Sequence, residues 1–287
     1  MRNTYFSNVL KSNSFLYIAV LAFGISTLLF GNWGFLPRPG DVSRLWTPDF
    51  LWLNLTTAFA RLSYFSALRH LEPATVNIIY VGVGPLTVLF WLSKSDRIDR
   101  FAVLEKKGYT GVALSKLGVM AVTIAGRSSL GGGVSLSAIA ALVLVALGGV
   151  LIAVSHMIAR RSNDAGLGTG MVFGSWFLLT VVLAIAGEAA FGIAEMRLDA
   201  EMLPSIAATV FVLIVLPSFA LQLEITRSPP LAVNIIRALG PAFVFTAQAF
   251  ENPLTFSELN LVCIALLSVS AGVASGLRTS DGLRGRS

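Results

Sequence analysis

Asn77-Ile78-Ile79-Tyr80-Val81-Gly82-Val83-Gly84-Pro85 and Asn234-Ile235-Ile236-Arg237-Ala238-Leu239-Gly240-Pro241 are the two stretches on which the reading of the fold turns. Each sets an amide in an apolar run and follows it within two helical turns by Gly-Pro. That echo predicts a chain built twice from one multi-helix unit. Both copies place a polar group and a helix breaker where lipid tolerates neither without a reason. Membrane chains of this kind are most often secondary transporters, with substrate bound near the repeat interface.

Working outward, composition sets the expected medium. Hydrophobic residues make up 55% of the 287 and charged residues 13%, against about 25% charged in soluble domains. A spanning helix needs about 20 mostly apolar residues. Nine stretches are read as spans: 14–31, 49–68, 73–93, 109–127, 135–159, 168–190, 203–224, 230–250 and 256–277. The connections are short, so the expectation is an all-α, multi-pass integral membrane protein with the lipid bilayer as its partner. A soluble sandwich of buried helices would alternate apolar with amphipathic segments, and almost every segment here is apolar all round.

The single cysteine, Cys263, excludes an internal disulfide, and no Cys/His metal spacing or cofactor motif is present. The net charge of +6 points to no nucleic acid, because its distribution has a better account. With the loops numbered alternately, one side holds Arg2, Lys11, Arg69, Arg127 and Arg197. The other holds Arg38, Arg44, Lys94, Arg97, Arg100, Lys106, Lys107, Arg160, Arg161, Arg227, Arg278, Arg284 and Arg286. Thirteen against five places the second side, with the C-terminus, in the cytoplasm, and the protein in a cell membrane such as the bacterial inner membrane.

The expected organisation is a polar segment at 1–13 without a signal-peptide cleavage site, a first repeat of four helices at 14–127, a connecting loop at 128–134, a second repeat of five helices at 135–277, and a basic cytoplasmic tail at 278–287. Four against five helices leaves the first repeat one short. A helix missing before residue 14, by a late start codon or a truncation, restores the balance.

Tyr64-Phe65-Ser66-Ala67-Leu68-Arg69-His70-Leu71-Glu72-Pro73-Ala74 resembles the junction of the drug/metabolite transporter superfamily, EamA-like type. Val83-Gly84-Pro85-Leu86-Thr87-Val88 is similar to the central motif of the helix that follows it there. Ala220-Leu221-Gln222-Leu223, Pro229-Pro230-Leu231-Ala232 and Leu239-Gly240-Pro241-Ala242-Phe243 repeat the theme, and Ala159-Arg160-Arg161 is similar to the start of that family's second half. Two departures stand out. The first of ten helices is absent, and Ser93-Lys94-Ser95-Asp96 replaces a glutamate motif that Phe250-Glu251-Asn252-Pro253 keeps more closely. The resemblance implies two inverted five-helix repeats, alternating access, and export of small metabolites.

Charged residues inside a span cost about 2.5–3.5 kcal/mol each on insertion scales. Arg61 lies near the middle of the second stretch, and Arg237 follows Asn234 by three residues on one helix face. A guanidinium beside an amide holds a carboxylate or phosphate; the alternative is bonding to carbonyls freed at Gly240-Pro241, or snorkelling. Asn77, with Tyr80 one turn on, and Asn234 either face substrate or bridge helices. Trp176 falls away from the interfacial belt and is a cavity candidate. The candidate substrate-binding set is therefore Arg61, Asn77, Tyr80, Trp176, Asn234 and Arg237, with Gly84, Pro85, Gly240 and Pro241 as helix-break or gating positions. Lys116 reads as a snorkelling residue. His156 is either an interfacial group or a carrier for a coupling proton. The glycines at 148, 149, 166, 168, 170 and 174 read as close helix contacts, and Gly170-x-x-x-Gly174 is compatible with a homodimer.

The functional expectation is a secondary transporter, an exporter of a small amino-acid-like or organic-acid-like substrate. The rival readings are a truncated non-transporting membrane protein or interaction subunit, and a membrane-embedded enzyme. The only acidic cluster, Glu195, Asp199 and Glu201, is interleaved with Arg197 and lacks a histidine, so no catalytic set is assigned.

Overall fold

A computed structural model describes residues 15–32, 47–68, 70–71, 73–93, 110–115, 117–118, 121, 136–167, 169, 172–173, 176–191, 211, 216–228, 233, 237, 262, 265–266 and 269–270. Its helices are α1 (Phe15–Asn32), α2 (Pro48–Ala67), α3 (Pro73–Ser93), α4 (Leu136–Asp164), α5 (Leu178–Phe191) and α6 (Leu216–Arg227). They fall into two compact units. The first takes His70–Ala153 and Pro229–Ser287, with Met1; the second takes Arg2–Arg69 and Val154–Ser228. α4 supplies residues to both.

In the first unit α3 is buried along most of its length, with Val76, Ile78, Ile79, Tyr80, Val81 and Val88 in the core. Proline normally ends a helix because it lacks an N–H and crowds the carbonyl four residues back. Here α3 continues through Gly84-Pro85 to Ser93. Two turns beyond Tyr80, the Thr87 hydroxyl donates to the Val83 carbonyl at 3.0 Å. α4 meets α3 at Gly149, where a Cβ would lie 2.5 Å from the Tyr80 carbonyl oxygen. Gly111 instead packs against a side chain, that of Ser270, whose Cβ would be 2.8 Å from an added methyl.

In the second unit α5 packs on α1 and α2, which also touch each other. α2 starts cleanly. Thr47 is extended, Pro48 occupies the first turn where its missing N–H costs nothing, and Asp49 sits at the positive end of the helix dipole. Its polar side chains turn back on their own helix: Asn54 donates to the Phe50 carbonyl at 3.0 Å, Thr56 to Trp52 at 2.7 Å and Thr57 to Leu53 at 2.7 Å. This back-bonding lets a polar helix enter an apolar core.

α4 ends in a Schellman motif. The Leu167 amide donates to the Ser162 carbonyl and the Gly166 amide to Asn163, at 3.1 and 2.9 Å. Gly166 has φ +89° and no atom near its Cβ position, so it serves the helix end and not a helix contact. Gly166→Ala should cost about 1–2 kcal/mol from the left-handed backbone alone, read as a lowered midpoint in urea unfolding.

The nine-span, inverted-repeat architecture of four plus five helices is corrected by these elements. Among the described residues one helix, Leu136–Asp164, is long and apolar enough to cross a membrane. At 1.5 Å per residue its 29 residues reach about 43 Å, beyond the roughly 30 Å of a hydrocarbon core. The apolar stretches Ala19–Leu28, Thr75–Val88 and Leu178–Gly187 are shorter; fourteen residues cover only about 21 Å. α2 is long enough at 20 residues but carries Asp49, Asn54, Thr56, Thr57, Arg61 and Ser63. An apolar run in one dimension does not distinguish a spanning helix from one buried among its neighbours. One candidate span is what the described chain holds, and the multi-pass transporter description loses its structural basis.

Candidate functional site

The described candidate residues fall in both units. In the first, Asn77 is half-buried and Tyr80 is buried one turn later on α3, with Gly84 and Pro85 buried beyond them. Arg237 is helical and half-buried. Asn234, Gly240 and Pro241 lie outside the described residues, as do Lys116, Gly168, Gly170, Gly174, Cys263 and the Glu195–Glu201 cluster. In the second unit Arg61 and Trp176 come together around one aromatic cluster.

Arg61 projects from α2 with its guanidinium carbon 4.7 Å from the Phe23 ring centre and 4.4 Å from that of Phe177. The two rings are stacked, 5.6 Å apart and 18° from parallel. Phe65 abuts Phe23 edge-on, and Phe173 does the same to Phe177, at 5.6 and 5.2 Å. A guanidinium against aromatic faces gains about 0.5–2 kcal/mol per ring, more as water is removed. Its planar fork is also pre-organised, so less freedom is lost when it pairs with a carboxylate.

Trp176 sits in a turn leading into α5, not in the middle of a helix as expected. Its amide donates to the Phe173 carbonyl at 3.1 Å. The indole is fully buried, 6.0 Å from the His156 ring and 5.9 Å from Phe173. Phe173 in turn meets Phe219 of α6 at 5.7 Å. Phe23, Phe65, Phe173, Phe177 and Phe219 were absent from the sequence-derived set. Nothing in the sequence distinguishes a phenylalanine beside a cation from any other core phenylalanine.

Arg160 of α4 reaches the C-terminal end of α6. One guanidinium nitrogen donates to the carbonyls of Ile225 and Thr226 at 2.9 and 2.8 Å, and to Ser228 at 3.3 Å. Its Nε pairs with Asp164 at 3.1 Å. The residue read as a marker of the second half is a clamp on the end of α6. Among the described residues no group of three His, Cys, Asp or Glu is placed to hold a metal ion.

No family model matches the chain, and no curated protein matches it. The fold is shared with solved structures, 23 chains of which match. One, described simply as the crystal structure of a protein, is 20% identical with a TM-score of 0.65, covering 96% of this chain and 92% of its own. At that identity the likeness speaks for the fold alone. Among the described residues the chain is thus helical, with one candidate membrane span and a cationic aromatic cluster in one of its units.

Proposed function

We propose that this chain is a membrane-resident carrier that moves a small organic anion or zwitterion, of the amino-acid or organic-acid kind, outward across the cell membrane. The observation that carries the reading is Arg61, held in the second unit against the faces of Phe23 and Phe177. A cation kept in such surroundings attracts a carboxylate far more strongly than one in water. The apolar helix Leu136–Asp164 supports a place in the bilayer. The resemblance of the Tyr64–Ala74 junction to EamA-like transporters supports transport as the activity.

A second reading is favoured by the one candidate span: a membrane-anchored protein or subunit that binds the same ligand without moving it. Vesicles containing the purified chain and loaded with a labelled panel of amino acids and dicarboxylates separate the two. Efflux above empty vesicles supports the carrier. Binding without flux supports the anchored subunit, and neither excludes an anion site. Arg61→Gln should weaken binding of the responding compound about tenfold, by loss of one charge-assisted pair worth about 1.5–3 kcal/mol. An unchanged Kd with normal folding removes Arg61 from the site.

A further inference from the structure

Among the buried polar atoms of the second unit that lack a hydrogen-bond partner are Trp176 Nε1, Thr180 Oγ1 and both amide atoms of Gln222, besides Ser162 Oγ and both amide atoms of Asn163 near the end of α4. Trp176, Thr180 and Gln222 have no exposed surface. Buried polar groups are ordinarily bonded, and each orphan is costly. The three are linked through one ring, Phe173. Trp176 and Thr180 are one turn apart at the start of α5, where the Val181 amide already donates to the Phe177 carbonyl at 3.0 Å. Gln222 is one turn from Phe219 on α6, and Phe219 and Trp176 both abut Phe173, at 5.7 and 5.9 Å. Trp176 is also the chain neighbour of Phe177, the ring under Arg61.

Their chemistry is complementary. The indole N–H only donates, the amide nitrogen of Gln222 donates, its oxygen accepts, and the Thr180 hydroxyl does both. A second carboxylate would satisfy the donors and leave the Gln222 oxygen against a negative charge. An ammonium would satisfy that oxygen and leave the donors idle. An uncharged carboxamide or hydroxyl meets both needs. We propose that Trp176, Thr180 and Gln222 form a hydrogen-bonding subsite for the neutral donor-and-acceptor group of a ligand whose carboxylate sits at Arg61. The substrate class is a small carboxylic acid that also carries an amide or hydroxyl. This rests on the anion reading given above and narrows it.

The test uses the full chain with Trp33, Trp46, Trp52 and Trp91 changed to Phe, so that Trp176 is the one remaining indole reporter of the 5. Two probes of equal shape are titrated by its emission: succinamate, with a carboxamide, and 4-methylpentanoate, with an isopropyl group in its place. The expected result is succinamate binding about tenfold tighter, with Gln222→Leu reducing it to the level of the apolar acid. Equal affinities overturn the subsite and leave the anion site standing. Binding of neither probe overturns both. Thermal unfolding supplies a readout that needs no ligand. Gln222→Leu should raise Tm by about 2–4 °C, because an orphan amide becomes apolar. A lowered Tm would show that the amide is satisfied within the fold and would sink the proposal.

Discussion

Gly149→Val should leave little or no folded protein, and Gly149→Ala should already lower stability by about 3 kcal/mol. The added Cβ would meet the Tyr80 carbonyl oxygen at 2.5 Å, its carbonyl carbon at 3.2 Å and the Val83 Cβ at 3.2 Å. Overpacking in a core usually costs about 1–3 kcal/mol, relieved by side chains changing rotamer. Here the obstacle is the backbone of α3, itself buried, so relief requires the helices to separate. Displacing α3 disturbs a helix whose Ile78 and Ile79 are buried, and lost apolar burial costs about 25 cal/mol per Å². Gly24→Ala is the control. That glycine lies within α1 and has nothing within 4 Å of its Cβ position, so alanine should be neutral or gain up to about 1 kcal/mol of helix propensity. Circular-dichroism melts of the three variants decide the matter. An unchanged Tm for Gly149→Ala would mean that the α3–α4 contact yields freely.

The second large effect is expected at Arg160. Its replacement by alanine should destabilise the second unit by about 2–4 kcal/mol. The last four carbonyls of a helix have no intrahelical partner, and α6 is followed by Pro229 and Pro230, which have no amide hydrogens to offer. Arg160 supplies three bonds there from a position 65 or more residues away in sequence, and its positive charge meets the negative end of the helix dipole. Bonds to a charged donor contribute about 1.5–3 kcal/mol each and are not additive. The pairing with Asp164 is a minor part of this, since that side chain is 61% exposed and exposed pairs contribute about 0–1 kcal/mol. Asp164→Ala should therefore be nearly silent. Arg160→Lys should recover only part of the loss, a point charge lacking the fork. Hydrogen exchange at residues 222–228 gives the local readout. Equal effects for Arg160→Ala and Asp164→Ala would refute the clamp.

Both residues were visible in the sequence with other roles attached. Gly149 stood out as a small residue fit for close packing, and small residues announce close approach without naming the partner. Gly166 carried the same composition signal and turned out to end a helix, because a left-handed backbone and a tight contact both select glycine. Arg160 read as a loop charge because helix-end arginines usually face water. Its three acceptors lie on a segment whose position only the fold reveals.

What the sequence determined by itself is the helical class and, among the described residues, the rough placement of the apolar segments. These follow from local composition. Tertiary structure decided the rest. It drew each compact unit from separated stretches of chain, 70–153 with 229–287 and 2–69 with 154–228. It also set α2 among its neighbours, where its polar groups are satisfied by its own backbone. Whether an apolar helix meets lipid or protein depends on what covers it, and that is a property of the packed chain, not of any one segment.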